Sequence, residues 1–259
     1  MIDCHVHLGL DVRSGKYLTA KDLSARLNRH NLAGAIIFPC PIVPVRKRNP
    51  YAEANREILD NSKKDERFLP FMMVHPMYDD LNYLNTHYHL FKGFKIYPRS
   101  KGMEFSYCEI ADYEVMKFLA DSKKPVLFHT GYREGERISA ISWFAKESTG
   151  SVIFAHSGDL IAKDIKIASE YPNVLIDICP LATMIENNFF VSEDRRPREL
   201  KGKLTTQKVL EYLKGLFGKR IICGSDSPSC DQLLKDGYLR EIEVAKEMKK
   251  MGLEGYKLI

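Results

Sequence analysis

The sequence predicts an α/β fold with parallel strands, a (β/α)8 TIM-like barrel, on three observations. Short apolar runs recur along the whole chain, at 2–7, 33–39, 68–74, 93–97, 125–130, 152–156, 174–179 and 220–224. Several, such as Ala-Ile-Ile-Phe and Val-Ile-Phe-Ala, are apolar at consecutive positions, as parallel strands covered on both faces require. Between them lie segments with apolar residues at three- and four-residue spacing, which is helical patterning. Eight strands alternating with helices in 259 residues fit a closed barrel better than an open doubly wound sheet.

Taken in order, the first run starts at Met1 or Ile2 and ends at His7. The segment 19–30 then places Ala20, Leu23 and Leu27 on one helical face. Further helix candidates are 51–63, 106–123, 205–217 and 239–251. The least regular stretches, 39–50 and 180–203, each follow a strand, so they belong on the rim where barrel enzymes carry their chemistry. Neither GxGxxG nor GxxxxGK[ST] occurs, and no composition shift, repeat or low-complexity tract divides the chain. One domain spanning 1–259 is expected.

Composition narrows the function. The chain is 44% hydrophobic and 28% charged, with a net charge of +5. A surplus that small gives thin support to nucleic-acid binding, which needs a basic track for phosphates. The longest apolar stretch, 33–43, is too short to span a bilayer and is broken by Pro39 and Pro41. The opening strand leaves no room for a secretory leader ahead of it, so a cytoplasmic location is expected. The six cysteines make no CxxC pair and read as reduced thiols, mostly in the core.

The chemistry lies in where the histidines fall. His5 and His7 close strand one, His129 closes strand five, His156 closes strand six, and Asp226 follows strand eight. In a barrel, the C-terminal ends of all strands converge on one mouth. Residues two apart on a strand share a face, so His5 and His7 can aim inward together while Cys4 and Val6 face the helices. Imidazoles and a carboxylate around one point make a zinc site. His87 and His89 also read H-x-H, but in a helical segment where i and i+2 diverge, so they are expected at the surface. His30 ends a helix and reads as structural. His75 ends strand three and reads as structural, with the mouth as the alternative.

These motifs resemble those of the amidohydrolase superfamily, in particular its amidohydrolase-related branch of metal-dependent hydrolases and decarboxylases. The resemblance rests on Met-Ile-Asp-Cys-His-Val-His, Gly-Phe-Lys-Ile-Tyr-Pro, Val-Leu-Phe-His-Thr-Gly, Ile-Phe-Ala-His-Ser-Gly and Cys-Gly-Ser-Asp-Ser-Pro, on five of the eight strands. It implies that His5, His7, His129 and Asp226 hold the principal divalent metal, usually zinc. It also implies that His156 either binds a second metal or acts on substrate and water. Lys95, in phase with Gly93 and Tyr97, points into the barrel. In binuclear relatives a lysine on this strand is carboxylated and bridges two ions, and the sequence leaves one ion or two open.

Such a site activates water, with Asp226 as the proton acceptor and His156 steadying the developing charge, so the expected reaction is hydrolysis of an amide, ester or lactone. Non-oxidative decarboxylation on the same site is the alternative. The rim cations Arg46, Lys47, Arg48, Arg99, Lys101, Arg133 and Arg137 suggest a small anionic substrate, gripped by Arg99 and Arg133. Solvated loop charges are the plain alternative. A TatD-like DNase would carry glutamate where Lys95 stands, and dihydroorotase-like chains follow H-x-H with x-Arg where this one has Leu8 and Gly9. A barrel that binds metal without turnover, and a homo-oligomer, stay open.

Overall fold

The structure, a computed structural model, describes residues 1–12, 15–41 and 48–253. The described strands are β1 (Ile2–Asp11), β2 (Lys16–Leu18), β3 (Gly34–Pro39), β4 (Phe68–Val74), β5 (Gly93–Ile96), β6 (Val126–Phe128), β7 (Val152–Phe154), β8 (Val174–Asp177) and β9 (Ile221–Ile222). They form one curled sheet in the order β2-β1-β3-β4-β5-β6-β7-β8-β9, parallel throughout except for the β1–β2 hairpin. All eight predicted runs are strands. Several end earlier than expected, because residues such as His129, His156 and Cys179 leave the ladder to carry site groups.

Two corrections concern β1. It continues past His7 to Asp11 and turns back into β2, with Leu10 opposite Tyr17. Its register against β3 also shifts between Asp3 and Val6. Asp3 pairs with Ala35 and Val6 with Ile37, so β1 spends one residue more than its neighbour, which is a β-bulge. Cys4 therefore does not face the helices as alternation predicts. It packs on the concave side with Phe38, Leu127, Ile153, Leu175 and Ile222. Val6 lies with the helix-facing core, as expected.

The helices are α1 (Ala20–His30), α2 (Ala52–Ser62), α3 (Leu81–His87), α4 (Glu114–Asp121), α5 (Ile138–Glu147), α6 (Ala162–Ser169), α7 (Leu181–Glu186), α8 (Thr206–Phe217), α9 (Ser229–Leu233) and α10 (Gly237–Lys250). Thr19 and Asp22 form a reciprocal capping box that starts α1, and Asn31 ends it in the left-handed conformation. The expected helix 106–123 is broken. Ser106 and Glu109 cap a single 3-10 turn, and α4 begins only at Glu114. Inside the irregular stretch 180–203, Glu241 on α10 accepts hydrogen bonds from Ala182 N, Thr183 N and Thr183 Oγ1, supplying from another helix the cap that α7 lacks.

The sheet curls until the segment around β9 meets β1. Cys4 N donates to Cys223 O at 2.9 Å, Asp226 N to His5 O at 2.8 Å and His7 N to Ser227 O at 2.8 Å. The approach is close enough that a Cβ on Gly224 would lie 2.3 Å from His5 Cβ, so only glycine fits there. This contact carries Asp226 to the ends of His5 and His7.

Candidate metal centre

His7 Nδ1 lies 2.9 Å from Pro39 O, and a carbonyl only accepts, so Nδ1 carries the hydrogen and Nε2 keeps its lone pair. His5 Nδ1 lies 2.6 Å from Asp177 Oδ2, with the same consequence. Both Nε2 atoms face one carboxylate oxygen: Asp226 Oδ1 is 3.5 Å from His5 Nε2, which also accepts from Lys95 Nζ, and 3.4 Å from His7 Nε2. Two ligands held about 2.0–2.1 Å from a tetrahedral zinc lie roughly 3.3 Å apart. The observed spacings match that, and they leave lone pairs opposed to a carboxylate, an arrangement that a cation resolves.

Protonation states agree with this. Burial holds the His5 imidazole well below its usual pKa, and the neighbouring Lys95 ammonium adds to the effect. For Asp226 burial acts upward, but the His7 contact and the surrounding histidines outweigh it and hold the carboxyl well below the carboxylate range. Neutral imidazole and ionised carboxylate are the states a metal needs. Asp226 sits at φ +54°, a strained backbone of the kind found where a side chain must be aimed.

A second trio surrounds the other side of His5. Its Nδ1 is 2.6 Å from Asp177 Oδ2 and 2.9 Å from Cys179 Sγ, and the thiol lies 3.0 Å from the same carboxylate oxygen. These separations are hydrogen-bond distances, shorter than those between ligands sharing a zinc ion.

His129 and His156 form a pair beside the cluster. His156 Nδ1 donates to Cys179 O at 2.9 Å, and its Nε2 meets His129 Nδ1 at 2.9 Å. His129 Nε2 is buried without a partner among the described residues. The His156 ring centroid stands 5.3 Å from that of His5. Burial lowers the His156 pKa to about 4, and burial with the His156 neighbour holds His129 well below its usual value. His156 opens a run of left-handed residues through Leu160, with φ from 52° to 58°. The structure thus brings ligand atoms of His5, His7 and Asp226 within 4.8 Å of one another, and turns His129 and His156 toward each other.

Lys95 is fully buried, with Nζ 3.2 Å from His5 Nε2 and 4.9 Å from the Phe38 ring centroid. Burial pushes its pKa down to about 8, against the pull of Cys179, Asp226 and Asp177. A lysine so placed is an amine close to losing its charge.

The rim arginines are more engaged than expected. Arg99 makes a bidentate pair with Glu136, Nε to Oε1 at 2.6 Å and Nη2 to Oε2. Arg133, largely exposed, lies 3.8 Å from the same carboxylate. Arg137 pairs with buried Asp164 and Arg48 with Asp80, while Lys101 is exposed. Arg46 and Lys47 lie outside the described residues. His75 uses both nitrogens on backbone, Nε2 on Met103 O and Nδ1 on Met77 N. His87 Nδ1 caps Tyr83 O within α3, His89 is exposed, and His30 packs against Tyr238 at the end of α1.

Sequence reasoning missed Asp177, Cys179 and Glu136. The first two were within reach, since both stand at the end of a predicted strand, the place that singled out the histidines.

No protein-family model matches the chain, and no curated protein matches its sequence. Solved structures do match in fold. An uncharacterised TIM-barrel protein from Bordetella bronchiseptica aligns over 98% of this chain and 100% of its own, at 11% identity and TM-score 0.57. Dihydroorotase from Saccharomyces cerevisiae aligns over 97% and 80%, at 13% identity and TM-score 0.56. The 4-oxalomesaconate hydratase of Rhodopseudomonas palustris aligns over 97% and 98%, at 10% identity and TM-score 0.51. At 10–13% identity these likenesses show a shared fold, that of a TIM-barrel protein among others.

Proposed function

We propose that the curled sheet is a (β/α)8 barrel and that its mouth is the active site of a metal-dependent hydrolase acting on a small, anionic substrate. The observation that carries this reading is the 3.4–3.5 Å spacing of two imidazole lone pairs from one carboxylate oxygen. His5, His7 and Asp226 hold a divalent ion, with zinc favoured by the nitrogen-rich donor set and His129 completing it through its ring beside His156. When bound, the ion supplies Lewis acidity and lowers the pKa of water from about 15.7 to about 7.

This chain's residues supply the rest. The Asp226 side chain is 14% exposed, so an ionised acceptor opens toward the mouth and can take a proton from water and return it to a leaving group. His156, held through Nδ1 on Cys179 O, steadies charge developing on the substrate once its Nε2 has taken up a proton. Lys95 accommodates the ion by shedding its charge, and if it is carboxylated a second ion can follow. Arg99 is held by Glu136 with Asp159 nearby, whereas Arg133 is largely exposed and only 3.8 Å from Glu136, so the pair can still meet an anionic group on the substrate.

Elemental analysis of the purified protein checks this directly. The reading requires one or two zinc equivalents per chain, a loss of metal in His7→Ala, and zinc-dependent turnover in a screen of amides, esters, lactones and aromatic acids. A fall from two equivalents to one in Lys95→Ala marks a bridging lysine. Protein that takes up no zinc at saturation removes the reading.

A further inference from the structure

Each imidazole offers one nitrogen to an ion only if its other nitrogen holds the hydrogen, and what fixes that choice differs from one histidine to the next. His7 has a backbone carbonyl on Nδ1, an acceptor that cannot change character. His5 has instead a carboxylate on a distant strand. Asp177 is the last residue of β8, two positions beyond Leu175 of the concave core, and that alternation carries it into the same interior. Both side chains are fully buried. Among the described residues, the hydrogen bonds to the Asp177 carboxylate come from donors: His5 Nδ1 at 2.6 Å and Cys179 Sγ at 3.0 Å to Oδ2, and Cys179 N at 3.1 Å to Oδ1.

We infer that Asp177 is a positioning residue, which locks His5 in the Nδ1–H tautomer and so keeps the Nε2 lone pair directed at the ion site. The inference rests on the metal reading above and adds to it a residue that touches neither ion nor substrate. Cys179 serves the same end of β8 from two sides. Its thiol and amide hold the carboxylate, and its carbonyl fixes Nδ1 of His156. Partners of this kind raise the basicity of a ligating histidine and set its orientation, and their loss costs roughly 10–100-fold in metal affinity. An asparagine at 177 cannot serve all the donors now present. Meeting the Cys179 amide with its carbonyl oxygen turns its NH2 toward His5 Nδ1, which forces the proton onto Nε2, where an ion should bind.

Two measurements test this. In metal-free wild-type protein, nitrogen-15 NMR of the imidazoles should show His5 protonated at Nδ1, and in Asp177→Asn the proton should move to Nε2. Zinc affinity, measured by competition with a chromophoric chelator, should fall about 10–100-fold in Asp177→Asn. Cys179→Ala, which removes only the thiol donor, should lose less than about threefold by the same assay, because the carboxylate itself remains. Melting curves identify any variant that fails to fold, and the wild-type spectrum needs no variant at all. A wild-type His5 carrying its proton on Nε2 overturns the inference. So does a folded Asp177→Asn protein that binds zinc like wild type, with the metal reading left standing. Wild-type protein that binds no zinc overturns both.

Discussion

The two sides of the His5 ring hold similar donor atoms and do different things. On the Nε2 side, His7 and Asp226 stand off so that the carboxylate oxygen is 3.4–3.5 Å from each ring nitrogen. On the Nδ1 side, Asp177 and Cys179 close to 2.6–3.0 Å. A carboxylate within reach of a histidine therefore says little until the distance is known. A gap wider than a hydrogen bond, between groups that both bear lone pairs, leaves room for an ion, and the tighter contact is already satisfied by a proton.

The largest expected effect comes from emptying the wide side. Asp226→Ala should abolish stoichiometric zinc and lower kcat/KM by at least ~10³-fold, since Lewis acidity is worth several kcal/mol. Retained metal in that variant would place the ion elsewhere. Next is the scaffold behind the tight side. Burial raises the Glu241 pKa to about 7 from 4.5 even though it accepts hydrogen bonds from α7. The folded protein then binds more protons than the unfolded chain between those values, so stability should fall as pH rises from about 4.5 to 7, by roughly 3 kcal/mol. Denaturant melts across that range should show the slope in wild type and a shallower one in Glu241→Gln, since buried Asp3, Asp79, Asp159 and Asp177 are shifted the same way and keep part of it.

Gly224→Ala pushes a methyl into His5 and should cost about 1–3 kcal/mol of stability as overpacking, read as a lower Tm. The smallest effect concerns the rim. Arg99→Met should raise KM about tenfold for an anionic substrate, as expected for one charged hydrogen bond, and leave a neutral analogue nearly unchanged. Equal changes for both would show that Arg99 serves only Glu136.

Much of the fold was legible because strands buried on both faces write themselves as unbroken apolar runs. The short β2 was not, since three residues carrying an exposed Tyr17 look like loop. Nor was the bulge in β1, which depends on pairing with β3 and on nothing local. That His5, His7 and Asp226 come together was legible because the ends of parallel strands share one edge of the sheet. The partnership of Arg99 with Glu136 was not, because the residues are 37 positions apart and the loop path between them sets the contact. That His129 turns to His156 also lay beyond sequence, since rotamers are chosen by neighbours from other strands.

The bulge has a consequence for how β1 tolerates change. Its foot is tied to the seam, where Asp3 receives the amide of Ser225 and the amide of Cys4 donates to Cys223, while its middle carries the two imidazoles. With strict alternation from Asp3, His5 and His7 would look outward. One supernumerary residue resets the phase, so foot and middle answer to separate constraints on a single strand. Deleting Cys4 should straighten the strand and keep both rings facing inward, whereas inserting a residue after His5 should turn His7 away from its partner.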